Sequence, residues 1–162
     1  MAKKIGCKCN FKNNLQKSKS INRLLEKHGN NLPPDVILDA TSHKNLDKWE
    51  TICDCNNRNK VISGARYHQT DWYLWSIKNL ATNKKYRKKG LGGDVVSRIM
   101  VKAEKNKIPV IVADVDRSNV GSQRIFEKIG FKRVNKFCWK KGEEPANILH
   151  YVNYPPIGNK CI

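Results

Sequence analysis

No stretch of the chain runs to about 18 apolar residues, which excludes a membrane-spanning helix. Residues Met1 to Asn10 also lack the apolar core that follows the basic start of a secretion signal. The expectation is a soluble, cytoplasmic protein with no membrane partner. Repeats, low-complexity tracts and a second hydrophobic block are absent as well, so the 162 residues are read as one domain with one core. Acidic residues are scarce: 14 Asp and Glu stand against 32 Lys and Arg, a formal net charge of +18. That imbalance repels polycations such as polyamines and attracts acidic peptides, nucleic acid or phosphorylated cofactors, without choosing among them. Residues 1–45 hold nine Lys and Arg against three Asp and Glu, net +6, and read as a basic entry segment with a short helix, a candidate substrate-facing region ahead of a core at 46–162. What is not scarce decides the class. With 39% hydrophobic residues and four tryptophans, the chain has too many apolar anchors to stay disordered.

Six cysteines without an export signal read first as thiols in a reducing compartment. Cys7-Lys8-Cys9 and Cys53-Asp54-Cys55 form two Cys-x-Cys elements, and in a strand residues i and i+2 face one side, so four thiols converge if the two segments are neighbours. A Cys₄ zinc site and a pair of disulfides are the alternatives. Plain thiols and no metal are the expectation, and Cys138 and Cys161 have no partner pattern.

Along the chain, Ile21, Leu24 and Leu25 mark one face of a helix over Ser20–His28, broken by Asn30–Pro34. Trp49–Cys55 and Val61–His68 flank the turn-like Asn56–Lys60 and predict a hairpin. Trp72–Thr82 reads as a strand whose alternation breaks at Trp75-Ser76-Ile77, where a bulge is expected. Leu91, Val95, Ile99 and Ala103 then recur every fourth residue to about Asn106, an amphipathic helix. Pro109–Val115 follows as a strand buried on both faces, so strand, helix and strand form a right-handed crossover. Ser118-Asn119 caps a second helix carrying Ile125, Phe126 and Ile129, which Gly130 ends. Phe131–Trp139 and Ile148–Tyr154 close the chain as strands about a turn at Lys140–Pro145.

The chemistry-bearing segment is Arg87-Lys88-Lys89-Gly90-Leu91-Gly92-Gly93, which places three glycines where a strand gives way to a helix. A helix N-terminus offers free N–H groups and the positive end of its dipole, and glycines let a diphosphate approach the main chain. Five of the six residues from Lys84 to Lys89 are cationic, which suits a polyanionic ligand.

With Arg87-Lys88-Lys89-Gly90-Leu91-Gly92 on the page, the chain resembles the GNAT N-acetyltransferase superfamily, whose acyl-CoA signature is Arg/Gln-x-x-Gly-x-Gly/Ala. Asn119 followed by Phe126-Glu127-Lys128-Ile129-Gly130-Phe131 matches the family's next element, and the resemblance covers about residues 48–154. It implies an α/β (α+β) fold, a mixed, splayed β-sheet flanked by helices, with acetyl-CoA as cosubstrate. Leu80 and Thr82 would then lend backbone groups to the pantetheine arm. The amides of Lys88, Lys89, Gly90, Gly92 and Gly93 would hold the diphosphate, Arg87 would open the turn, and Asn119 would touch the cofactor or cap its helix. The implied function is acyl-CoA-dependent N-acyltransfer to an amine of a protein or small molecule. The alternatives are an acyl-CoA-dependent modifier of nucleic acid and a non-catalytic acyl-CoA or nucleic-acid binding module.

The catalytic pattern departs from the family's. Many members carry a thiolate-protonating tyrosine where this chain has Phe126, and no acid lies within Trp72–Thr82 to serve as base. His68 and Asp71, at the hairpin end, are the first choices for proton transfer. Tyr73, His150 and Tyr151 are further candidates.

Overall fold

Apolar residues two apart on successive strands, and three or four apart on the helices, bury both faces of a single sheet. The computed structural model describes residues 5–28, 49–134 and 148–155. In chain order the elements are β1 (Gly6–Cys7), α1 (Asn14–His28), β2 (Trp49–Asp54), β3 (Asn57–Asp71), β4 (Leu74–Thr82), a 3₁₀ turn at Lys84–Tyr86, α2 (Leu91–Lys105), β5 (Val110–Asp116), α3 (Val120–Lys128), β6 (Lys132–Val134) and β7 (Ile148–Asn153). The seven strands lie in the order β1-β2-β3-β4-β5-β7-β6, with β4 and β5 parallel and the other neighbours antiparallel. This is the mixed sheet flanked by helices that the sequence implied.

Helix α2 presents Leu91, Val95, Val96, Ile99 and Ala103 to one sheet face. There they meet Ile52, Ile62, Trp75, Ile77 and Ile111, together with Phe126 of α3. Each large aliphatic side chain buried in this way contributes roughly 1.5–3 kcal/mol. Ile21, Leu24 and Leu25 of α1 cover the other face above Trp49, Cys53, Val61 and Ala81. Two pieces of the basic entry segment are built into the fold: β1 extends the sheet and α1 closes its second layer.

Three boundaries differ from expectation. Helix α1 begins six residues before Ser20, because the Asn13 side chain caps it by accepting from the Gln16 amide at 2.9 Å. The β2–β3 connection is shorter than Asn56–Lys60: Asp54 takes the Asn56 amide at 3.0 Å, and the Asn10 amide donates to the Arg58 carbonyl at 2.9 Å, drawing Asn57–Lys60 into β3. The bulge in β4 falls at Asn79, not at Trp75–Ile77. Register passes from Arg66↔Lys78 to Gly64↔Ala81, and Asn79 takes a left-handed φ of 56°. The end of the Phe131–Trp139 run and the turn at Lys140–Pro145 lie outside the described residues, as do Cys138 and Cys161.

The plain-thiol expectation is overturned. Cys7 is disulfide-bonded to Cys55 and Cys9 to Cys53, with Cα–Cα distances of 5.0 Å in each. The reason is the ladder: β1 pairs with β2 through Gly6↔Asp54 and Cys7↔Cys53, which brings the two Cys-x-Cys elements side by side.

Candidate functional site

The cleft begins where two parallel strands part. The β4–β5 ladder runs from Leu74↔Val110 to Ile77↔Ala113 and stops, although β4 continues to Thr82 and β5 to Asp116. Beyond that point a cavity of about 410 Å³ opens, lined from the β4 side by Leu80, Ala81 and Thr82 and from the α3 side by Asn119, Ser122 and Ile125. The glycine turn forms its rim, with Arg87, Lys88, Gly90, Gly92 and Gly93 all on the wall.

The turn has the conformation an anion requires. Lys88 (φ 60°) and Gly90 (φ 80°) are left-handed, and such residues among right-handed or extended ones turn successive N–H groups toward one side. The first intrahelical bond of α2 runs from the Asp94 amide to the Gly90 carbonyl at 3.0 Å, so the first-turn amides of Leu91, Gly92 and Gly93 have no helical partner. A Cβ at Gly92 would sit 2.9 Å from Ile125 Cδ1 and 3.4 Å from Thr82 Oγ1, so the absence of a side chain keeps the rim open. Free amides at a helix N-terminus are chemically suited to an anion.

The residues proposed for the cofactor take different places. Arg87 folds back, its Nε donating to the Thr82 carbonyl at 3.1 Å, so Thr82 spends that carbonyl on the turn. Thr82 Oγ1 lies 2.9 Å from Ser63 Oγ. Lys89 is not among the cavity-lining residues; its Nζ lies 5.7 Å from the centre of the Tyr86 ring. Asn119 lines the cavity and also caps α3, accepting from the Ser122 amide at 3.1 Å. Just before it, Asp116 Oδ1 accepts from the Ser118 hydroxyl and amide at 2.6 and 2.7 Å, which holds its carboxyl below the ordinary range. Tyr86 donates to Asp54 Oδ2 at 2.7 Å, and that bond, with some burial, raises its pKa above the ordinary tyrosine value.

Of the proton-transfer candidates, Asp71 lies away from the cleft. It is exposed at the β3–β4 hairpin end and accepts from the Trp72 amide at 2.7 Å, while the cavity lies at the opposite end of β4. Tyr73 shares that hairpin end, where its ring makes an edge contact with Trp72. His68 pairs with Ser76 at mid-sheet, half-buried. Tyr151 is buried in the core; burial and its bond to Glu127 Oε1 at 3.0 Å raise its pKa. Sequence reasoning missed Asp114. Its carboxylate meets His150 Nδ1 at 2.7 Å, and it follows directly on Ala113, the last residue of β5 paired with β4. The alternation of buried Ala113 and Val115 turns the Asp114 side chain to the face opposite the main core. An acid inside the otherwise apolar run Pro109–Val115 was the available signal.

The sequence model of the acetyltransferase (GNAT) family matches residues 21–131. The match takes in the C-terminal half of α1, which the sequence motifs alone had left without a counterpart. Among solved structures, Ard1 from Thermoplasma volcanium is similar with a TM-score of 0.71 and 14% identity, over 93% of this chain and 98% of that one. The ribosomal-protein-S18-alanine N-acetyltransferase from Escherichia coli gives 0.68 and 12%, over 90% and 92%. A GNAT family acetyltransferase from Elizabethkingia anophelis with acetyl-CoA bound gives 0.59 and 20%, over 81% and 87%. At such identities the likeness is one of fold.

Proposed function

The chain belongs to the acetyltransferase (GNAT) family, and from that premise we propose that it transfers an acyl group, in the usual case acetyl from acetyl-CoA, to an amine of a protein or small molecule. The observation that carries the reading is the parting of β4 from β5 beside a glycine turn with left-handed Lys88 and Gly90. Acetyl-CoA, when bound, supplies a thioester carbon open to attack by a neutral amine.

The chain's own residues divide the work along the cleft. The amides of the 88–93 turn bind the diphosphate, and the edge of β4 at Leu80 and Thr82 holds the arm. The bulge at Asn79 takes main-chain groups out of the β3 ladder, and such groups can serve a developing oxyanion. His150 and Asp114, paired at 2.7 Å just beyond the point where β4 and β5 part, lie outside the cavity lining with His150 Nε2 buried, so a side-chain movement that exposes this nitrogen is required before it takes a proton from the acceptor amine. His68 stands farther along β3, paired with Ser76, as a residue of the acceptor side. The thiolate leaves without help from Phe126, whose ring is buried against Phe131 and Tyr151 at centroid distances of 5.0 and 6.0 Å. Cations favour an acidic acceptor. Arg66 and Lys78 are ladder partners beside the apex of the cleft, and the whole chain carries +18.

The test is acetyl-CoA turnover measured as thiol release against small amines, acidic and basic peptides, and nucleic acid. Acetylation of an amine, with kcat lowered about a hundredfold in His150→Ala and acetyl-CoA affinity kept, is expected. Tight acetyl-CoA binding with no acceptor acetylated would leave a binding module instead, and acetylation of nucleic acid alone would move the enzyme to the other acceptor class.

A further inference from the structure

Neither the cleft nor its chemistry uses the two Cys-x-Cys elements, yet the fold brings all four of their sulfurs to one corner. We propose that Cys7, Cys9, Cys53 and Cys55 form a tetrathiolate metal site which, once the two disulfides are reduced, holds one zinc ion.

The placement is shared among the four. Cys7 is the ladder partner of Cys53 and the disulfide partner of Cys55, while Cys53 is bonded to Cys9. Backbone pairing holds these segments together in addition to the sulfur bonds. Gly6 pairs with Asp54, and the Asn10 amide donates to the Arg58 carbonyl at 2.9 Å, so reduction frees the thiols without freeing the strands. Cα–Cα distances of 5.0 Å leave a space that two thiolates, each about 2.3 Å from a common ion, can span.

The surroundings suit a closed zinc site. Cys53 is fully buried under Ile21, Leu24 and Leu25 of α1, and Cys9 packs against the same cluster. The nearest carboxylate in sequence, Asp54, is engaged by the Asn56 amide and the Tyr86 hydroxyl, which leaves the sulfurs as the donor set. Four soft, anionic ligands in such an arrangement select zinc over the hard cations that prefer oxygen. A zinc tetrathiolate carries net charge −2, which Lys8 between Cys7 and Cys9 and the +18 of the chain offset.

The exchange balances. A dithiol reductant delivers two electrons and two protons to each disulfide and departs as its own cyclic disulfide. The four thiols then release four protons as they bind Zn²⁺.

The experiment uses the full chain with Cys138 and Cys161 replaced by serine, reduced anaerobically, cleared of reductant and titrated with zinc chloride, with cobalt chloride as a spectroscopic probe. One equivalent of metal per chain is expected, together with thiolate-to-cobalt charge-transfer bands, release of about four protons per metal, and no uptake by the oxidised chain. Cys7→Ser, at a half-buried position, and Cys53→Ser, at the buried one, should each weaken metal binding at least tenfold, with circular dichroism checking the fold of both. A reduced, folded chain that shows four accessible thiols and takes up no metal overturns the proposal, as does stoichiometric binding that both serine variants retain.

Discussion

Gly92 shows how little room the rim of the cleft allows. A valine there would meet Ile125 and Thr82, and it would occupy the space through which a diphosphate reaches the turn. Gly92→Val should lower acetyl-CoA affinity tenfold or more in calorimetry, a loss of about 1.4 kcal/mol at least; unchanged affinity would remove the cofactor from this turn. Phe126 is 3% exposed, so Phe126→Ala should cost about 3–5 kcal/mol of stability in denaturant unfolding. A hydroxyl added by Phe126→Tyr would enter the core rather than the cavity, whose lining does not include residue 126, and turnover should stay nearly unchanged. Tyr86 adds a dependence on pH. Its folded pKa is raised, so its contribution is whole below the unfolded value of about 10 and fades as pH climbs through the folded one. Thermal unfolding of Tyr86→Phe should therefore lack that alkaline loss. At this scale the glycine turn was legible, because φ, size and charge all restrict what can stand there. The Asp114–His150 pair was not, since nothing local joins residues 36 apart.

Helix α3 rests on a cap made by one side chain, Asn119, which also lines the cavity. Asn119→Ala should cost about 1 kcal/mol in stability whether or not a ligand is present, and any further loss in acetyl-CoA affinity measures its direct contact with the cofactor. The two disulfides tie β1 to β2 across sequence separations of 48 and 44 residues. Reduction in the absence of metal should lower stability by about 2–4 kcal/mol for the pair, because the two bonds close nested loops and the second constrains little that the first leaves free. Urea unfolding with and without reductant checks it. Helices and strands were readable where an apolar pattern extended over several residues, as in the stripe Leu91–Ala103 or the run Pro109–Val115, although that run is fully buried on one face only. Ends were less so, because they depend on single contacts: Asn13 starting α1, Asp54 tightening the β2–β3 turn, Asn79 displacing the bulge. The disulfides could not be told from thiols or zinc ligands until β1 was known to lie beside β2.

As a whole the molecule presents 32 cationic side chains against 14 anionic ones, and five of the cations fall within Lys84–Lys89, at the start of the glycine turn and just ahead of it. Association with any polyanionic acceptor should therefore weaken steeply with salt, as condensed or bound counterions are no longer released to advantage. Filter binding to nucleic acid and turnover on acidic peptides, each at two ionic strengths, separate adherence to polyanions from use of them: an acceptor gives product, a bystander only retention. The acceptor could not be read from the sequence, because net charge has no shape and the walls of the cleft, residues 80–93 and 119–125, face each other only in the fold. One bond joins the parts described separately. Asp54, flanked by two cross-linked cysteines, holds the hydroxyl of Tyr86, the last residue of the 3₁₀ turn before Arg87. Any free energy passed along this bond would be the same in both directions, since linkage is reciprocal: a change at the sulfur corner felt at the mouth of the cleft implies an equal effect of an occupied mouth on the corner.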